Sequence, residues 1–182
     1  SGNVEKNIRH SIAKAWTHNG KGFREMLFLN CLKENKSIVH FTDDNQIADY
    51  AKEATFIDLP FPNNQSELKY NAEDGLYYYS EHGGPHLDAQ NDNKQLAFKN
   101  VIIQRVSYNQ LDENGYLIFN CIGEGKATFI TNGERVNVTW KKGSDTEPTR
   151  YYDGLGNEIK LNTGKTYVAF VADQRWDELV IE

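Results

Sequence analysis

The sequence predicts an α+β protein: a short N-terminal helical and α/β segment followed by a mainly antiparallel β-sheet or partly open barrel. Three observations predict it. Residues 122–171 read as short apolar-polar segments broken by glycine turns about every eight to twelve residues, the spacing of a twisted antiparallel sheet. Asp74-Gly75 and Asn132-Gly133 each sit between β-patterned runs, a strong two-residue hairpin signal. Before Pro60 the period changes, and apolar side chains recur at the three- to four-residue spacing of a helix.

In chain order, Val4, Ile8, Ile12, Ala15 and Trp16 form the apolar stripe of a first helix ending near Asn19-Gly20. Phe23, Met26, Leu27, Leu29, Cys31 and Leu32 supply a second, stopped by Asn35. Ser37-Ile38-Val39-His40-Phe41 is β-branched and reads as a buried strand. Thr42 then caps a third helix: Asp43 and Asp44 favour its positive end, and Ile47, Ala48, Tyr50, Ala51 and Ala54 face inward. Pro60, Pro62, Asn63 and Asn64 mark a boundary between an N-terminal α/β segment, residues 1–64, and a β-rich domain, residues 65–182.

Beyond it, strands are expected at residues 68–70 and 76–79, then at 101–108, where a continuous apolar start points to a central position. Further strands are expected at 116–121, 127–131 and 135–140, with Val136, Val138 and Trp140 on one face. Residues 149–152, 157–161 and 166–171 follow. A short helical turn and a closing strand, Leu179-Val180-Ile181, complete the chain.

The 182 residues suffice for one domain with a real core, and 38 % apolar and 12 % aromatic content places the chain among globular proteins. No window approaches the ~18 consecutive apolar residues of a spanning helix. Ser1-Gly2-Asn3 opens no export signal, and Ser1-Gly2 reads as a cloning scar or a cut inside a longer protein. Net charge is −6, with 20 basic side chains scattered among 26 acidic ones, which argues against a nucleic-acid partner. Cys31 and Cys121 lie far apart with no Cys-x-x-Cys pair, so neither a zinc knuckle nor a dense disulfide framework is in view.

Chemistry-bearing residue types cluster once, at His82-Gly83-Gly84-Pro85-His86-Leu87-Asp88. Two imidazoles and a carboxylate folding back around the glycines have the types of a metal site with open positions, with His82, His86 and Asp88 as ligands. The bland alternative, and the favoured one, is a hydrogen-bonded His86–Asp88 pair bracing the loop onto the sheet. Tyr77, Tyr78, Tyr79, Trp140, Tyr151 and Tyr152 fit either a groove for sugar rings or a peptide, or an aromatic core. Lys141, Lys142, Arg150 and Lys165 with Thr149 fit an anion site or a lysine-guarded sheet edge. Tyr77, Tyr79, His86, Asp88, Arg150 and Tyr152 are the candidate binding residues. No Gly-x-Ser-x-Gly elbow, phosphate-cradling loop or dinucleotide fingerprint is present.

Seven fragments then occur in order: His86-Leu87-Asp88, residues 98–104, Gly123-Glu124-Gly125, Ile130-Thr131-Asn132-Gly133, Thr139-Trp140-Lys141-Lys142, residues 148–153 and residues 161–167. Together they resemble the C-terminal part of the YerB-like lipoproteins of Gram-positive bacteria, over roughly residues 66 to 172. The resemblance implies an exported protein at the outer face of the cell membrane, held by a lipid anchor that this sequence does not carry, in a family without an established biochemical function. Members have an α/β domain before the β-rich part, and residues 1–64 match it poorly. The expected function is a non-catalytic envelope module, without a cofactor, that binds a cell-wall component or a partner protein. The alternative is a metal-dependent hydrolase of an envelope substrate, with a divalent metal on His82, His86 and Asp88.

Overall fold

The computed structural model describes residues 41–42 and 51–182. The two helices expected before residue 36, residues 37–40 of the expected strand and residues 43–50 of the third helix lie outside the described residues. Phe41–Thr42 (β1) is a strand, paired in parallel with Leu161–Asn162. Thr42, expected as a helix cap, is therefore extended. Lys52–Glu53 (β2) also pairs as a strand, against Arg135 and Glu134. Ala54 N–H donates to the Gly133 carbonyl at 2.7 Å, so the third helix does not run through Ala54. Cross-strand pairing overrides the helical propensity of this alanine-containing stretch.

The chain continues as β3 (Phe56–Leu59), β4 (Ser66–Asn71), β5 (Leu76–Glu81), β6 (Gly84–Pro85), β7 (Leu87–Asp88), β8 (Lys94–Gln95) and β9 (Ala97–Phe98). Then come β10 (Asn100–Val106), β11 (Tyr108–Gln110), β12 (Leu117–Phe119), β13 (Gly123–Thr131), β14 (Glu134–Lys142), β15 (Arg150–Tyr152), β16 (Leu161–Asn162) and β17 (Thr166–Ala172). A 3-10 helix, Asp173–Glu178, and β18 (Val180–Ile181) match the expected closing elements. The 60–64 stretch, expected as a domain boundary, joins β3 to β4, which pair antiparallel in one sheet.

The mainly antiparallel β architecture expected is present among the described residues as two six-stranded sheets, with the two-stranded pairs β1–β16, β7–β8 and β11–β12 beside them. The first runs β15-β14-β13-β10-β17, with β2 on β14; the second runs β18-β3-β4-β5-β6, with β9 on β5. The ends β15 and β17 do not meet, so no barrel closes. All pairings of the first sheet are antiparallel except β10 with β17, which is parallel. The central place expected for residues 101–108 is the place of β10, between β13 and β17.

Alternation along β10 explains why its apolar run is continuous. Val101 and Ile103 face the second sheet, in a core shared with Ile57, Leu59, Leu68, Tyr77, Tyr79, Ile130, Ala169 and Val171. Ile102 and Val106 face the other way, into a second cluster with Phe129, Val136, Val138, Trp140 and Leu161. Both faces of this sheet are thus buried, and a two-sided strand carries no polar alternation. Trp140 lies in that second core, across from Gly125, where an added Cβ would fall 2.7 Å from its Nε1; the indole N–H donates to the Arg105 carbonyl at 2.9 Å.

Asn132 and Gly133, with φ of 55° and 79°, form the two-residue turn expected between β13 and β14. The β4–β5 turn is longer than expected. Asn71 pairs with Leu76, and the Asn71 and Asp74 carboxamide and carboxylate oxygens accept the Glu73 and Leu76 N–H groups, which stabilises a four-residue loop.

The two sheets are stapled at Gly133. The fully buried Tyr77 hydroxyl donates to the Ala54 carbonyl and accepts the Gly133 N–H, both at 2.9 Å. Burial pushes this phenol well above its ordinary range, so it keeps its proton. Tyr77→Phe strands a buried donor and a buried acceptor, and urea unfolding is expected to show a loss of about 2 to 3 kcal/mol. Gly133→Ala combines a left-handed φ with a Cβ 2.9 Å from the Tyr70 ring, and should destabilise the chain by about 2 kcal/mol or more in the same measurement.

Candidate functional site

The His-Gly-Gly-Pro stretch is a hairpin turn. Glu81 pairs with Gly84 and Ser80 with Pro85, leaving His82 and Gly83, with φ of 52° and 77°, as a two-residue loop. His82 sits exposed at the tip, and its N–H donates to the Asn64 carbonyl. Continuing the pairing by one step brings His86 opposite Tyr79, and the His86 N–H donates to the Tyr79 carbonyl at 3.1 Å. Tyr79 and Glu81, two residues apart on β5, share the face that His86 meets.

The result is a hydrogen-bonded chain from surface to interior. His86 Nδ1 lies 3.0 Å from Glu81 Oε2, the Tyr79 hydroxyl donates to Glu81 Oε1 at 2.7 Å, and the Ser66 hydroxyl is 2.9 Å from the Tyr79 oxygen. Asn64 Nδ2 also reaches Glu81 Oε1, at 3.4 Å. Burial pushes the Tyr79 phenol far upward, with the neighbouring Tyr167 adding to it. Its proton therefore stays on, goes to Glu81, and leaves Ser66 as the donor to the tyrosine oxygen. The Tyr79 ring packs 5.6 Å from the His86 ring and 5.3 Å from that of Tyr167.

Exposure falls along the chain: 42 % for the His86 side chain, 23 % for Glu81, and none at Ser66. A carboxylate on Nδ1 fixes the ring and leaves Nε2 as the polar atom that can meet a ligand. Among the described residues the hydrogen-bond partner of the His86 ring is Glu81.

The sequence-predicted residues divide accordingly. Among the described residues no three His, Cys, Asp or Glu side chains are grouped to hold a metal ion, so His82, His86 and Asp88 do not converge. Asp88 turns to its own loop, where its carboxylate accepts the Gln90 N–H and its carbonyl accepts those of Asn91 and Asn93. His86 pairs with Glu81, not Asp88. Tyr77 and Tyr79 are core residues, the second of the two uses weighed for the aromatic set, and Tyr78 faces outward and bonds Asp74. Arg150 and Tyr152 share a face of β15 in the other sheet. Arg150 grips Glu158 through both carboxylate oxygens, at 3.0 and 2.8 Å, and Lys141 approaches the Tyr152 ring. Lys142 points inward, its ammonium held by the Asp145 and Glu147 carbonyls, and Lys141 pairs with Glu124. The cations do not gather into an anion site.

Glu81 and Ser66 are the members that sequence reasoning missed. The signal was present: a two-residue turn at His82-Gly83 fixes position 79 against 86, and Glu81 then lies beside both.

β15 leads into a loop, residues 153–157, organised by Asp153, whose Oδ1 accepts the N–H groups of Leu155 (2.9 Å) and Asn157 (2.8 Å). These bonds, that of Asn157 first, hold the exposed Asp153 carboxyl below its ordinary value of 3.8.

Residues 57–168 match the family described as a protein of unknown function (DUF3048), C-terminal domain. No curated protein matches the chain. Its fold is similar to that of the YerB protein from Bacillus subtilis, with a TM-score of 0.64 at 20 % identity, over 79 % of this chain and 46 % of that one. The chain thus spans less than half the length of that relative.

Two outcomes test the site. Tyr79→Phe leaves the buried Ser66 hydroxyl without its partner and should cost about 1 to 3 kcal/mol, whereas His86→Ala, at a partly exposed ion pair, should cost no more than about 1 kcal/mol by urea unfolding. Because Asp153 titrates lower folded than unfolded, its stabilisation is complete above pH about 4 and is lost as pH falls through the folded value. The melting-temperature gap between wild type and Asp153→Ala should therefore be wide at pH 7 and close toward pH 2.

With a family match across more than half its length and a matching fold, the chain belongs to the YerB-like DUF3048 family, of which it carries the C-terminal domain.

Proposed function

We propose that this chain is the β-rich module of an exported envelope lipoprotein, anchored at the outer face of the membrane, and that it binds a partner protein or a cell-wall component without catalysis. The observation that carries the reading is the hairpin β11–β12, which pairs with neither main sheet. Its base is apolar and packed: Phe119 lies against the second core, and the Tyr108 ring meets it edge-on at 5.9 Å. Its outer part is apolar and exposed, with Leu111 58 %, Tyr116 65 % and Leu117 37 % accessible.

The loop is held in one shape by Asp112, whose Oδ1 accepts the N–H groups of Asn114 and Tyr116. A projecting, preshaped hairpin with large apolar side chains in water favours association, because burying them against a partner releases the water at about 25 cal/mol per Å². The two aromatic rings and the Asp112 cap lower the ordering cost of binding. The sequence resemblance to YerB-like lipoproteins supports the envelope setting.

The test compares wild type, Leu111→Asp/Tyr116→Asp and His86→Ala in pull-downs from solubilised envelope and in co-sedimentation with purified wall. The expected result is retention of wild type and His86→Ala, and a loss of about tenfold or more for the double variant. Failure of wild type to bind either material, or equal binding by the double variant, contradicts the reading.

A further inference from the structure

The edges of the two sheets are not alike. β15 is three residues long, β18 two, and β6 two with Pro85 among them. β17 is seven residues, Thr166-Tyr167-Val168-Ala169-Phe170-Val171-Ala172, with no proline and no charge, and among the described residues nothing pairs with its outer side. A long apolar edge of this kind is a template for another strand.

Its free groups can be assigned. The Asn100 N–H donates to the Lys165 carbonyl at 3.1 Å, and alternate residues of a parallel strand send both backbone groups to the same neighbour. Lys165, Tyr167, Ala169 and Val171 therefore serve β10. Thr166, Val168, Phe170 and Ala172 turn their N–H and C=O groups outward.

We propose that this edge pairs antiparallel with the same edge of a second copy, about a two-fold axis at Ala169. In that register Val168 lies opposite the partner's Phe170 as a hydrogen-bonded pair, and the outward groups of both strands are matched. The ends decide the register and the occupant. Lys165, which is exposed and makes no ion pair among the described residues, lies opposite the partner's Asp173, as Asp173 lies opposite the partner's Lys165. Asp173 is 42 % exposed and accepts Arg105 through Oδ1 at 2.7 Å, which leaves its other oxygen for the lysine. Centring the pair on Val168 or Phe170 keeps the backbone bonds and loses both contacts, placing Lys165 against Val171 or Arg175. The strand is complementary to itself in charge as well as in backbone, which singles out a second copy among extended segments. The association extends the first sheet across the dimer as β-strand addition.

Sedimentation of the whole chain over a concentration series, with amide exchange at its two ends, tests this. The expected result is a concentration-dependent dimer in which the Val168 and Phe170 amides slow with rising concentration while those of Tyr167 and Ala169 do not change. Lys165→Asp, a surface change that leaves the fold intact, should raise the midpoint concentration about tenfold or more, since it sets like charges opposite each other. Val168→Pro, which removes one outward donor, should give monomer. A chain that stays monomeric to about 1 mM, a dimer with unprotected Val168 and Phe170 amides, or a midpoint unmoved by Lys165→Asp overturns the proposal.

Discussion

The bond from Gly133 N–H to the Tyr77 hydroxyl holds the rest of the structure in place. It joins the turn between β13 and β14, in one sheet, to the start of β5 in the other, where Tyr77 enters the shared core. The same hydroxyl ties down Ala54, whose own N–H returns to the Gly133 carbonyl. Three chain segments thus meet around one buried oxygen. The turn must be tight for this, and only a glycine at a left-handed φ lets the Tyr70 ring lie against it.

With the second sheet docked there, β5 presents alternate faces. Tyr77 and Tyr79 point into the core, and the chain leaving β5 folds back over Tyr79 through the His82-Gly83 turn. Glu81 and His86 are brought together at the mouth of that fold as a by-product of the register. The core tyrosine therefore supports the only part of the His-rich stretch that reaches solvent with an oriented ring. On the far side of the first sheet, a buried polar clasp does similar work. Asn100 Nδ2 donates to the Asn162 carbonyl and its Oδ1 accepts the Asn162 N–H, so a side chain ties β16 to the start of β10. Association surfaces are left to what the two cores do not consume: the β11–β12 hairpin and the outer side of β17.

Much of the β-rich part was legible in the sequence because period-two patterns and Asn-Gly turns are local signals. The β13–β14 turn, the inward Trp140 and the central place of β10 all follow from them. The return of β18 to β3 and the parallel β10–β17 pair were not legible, since pairing between strands sixty or more residues apart leaves no local mark. The site was half legible. His86 was singled out by residue type, yet its partner is Glu81, placed by turn geometry; Asp88, nearer in sequence, is occupied by its own loop. The aromatic cluster fitted a groove or, as the favoured reading, a core. Only burial, complete at Tyr77 and nearly so at Tyr79, separates the two.

Both sheets form one cooperative unit closed by the Tyr77 staple. Native-state hydrogen exchange of the Gly133 amide measures it most directly, because this donor reaches water only if the sheets separate. The expected exchange free energy equals that of global unfolding, with the same denaturant dependence. Exchange through a local opening well below that value, or one insensitive to denaturant, would contradict it.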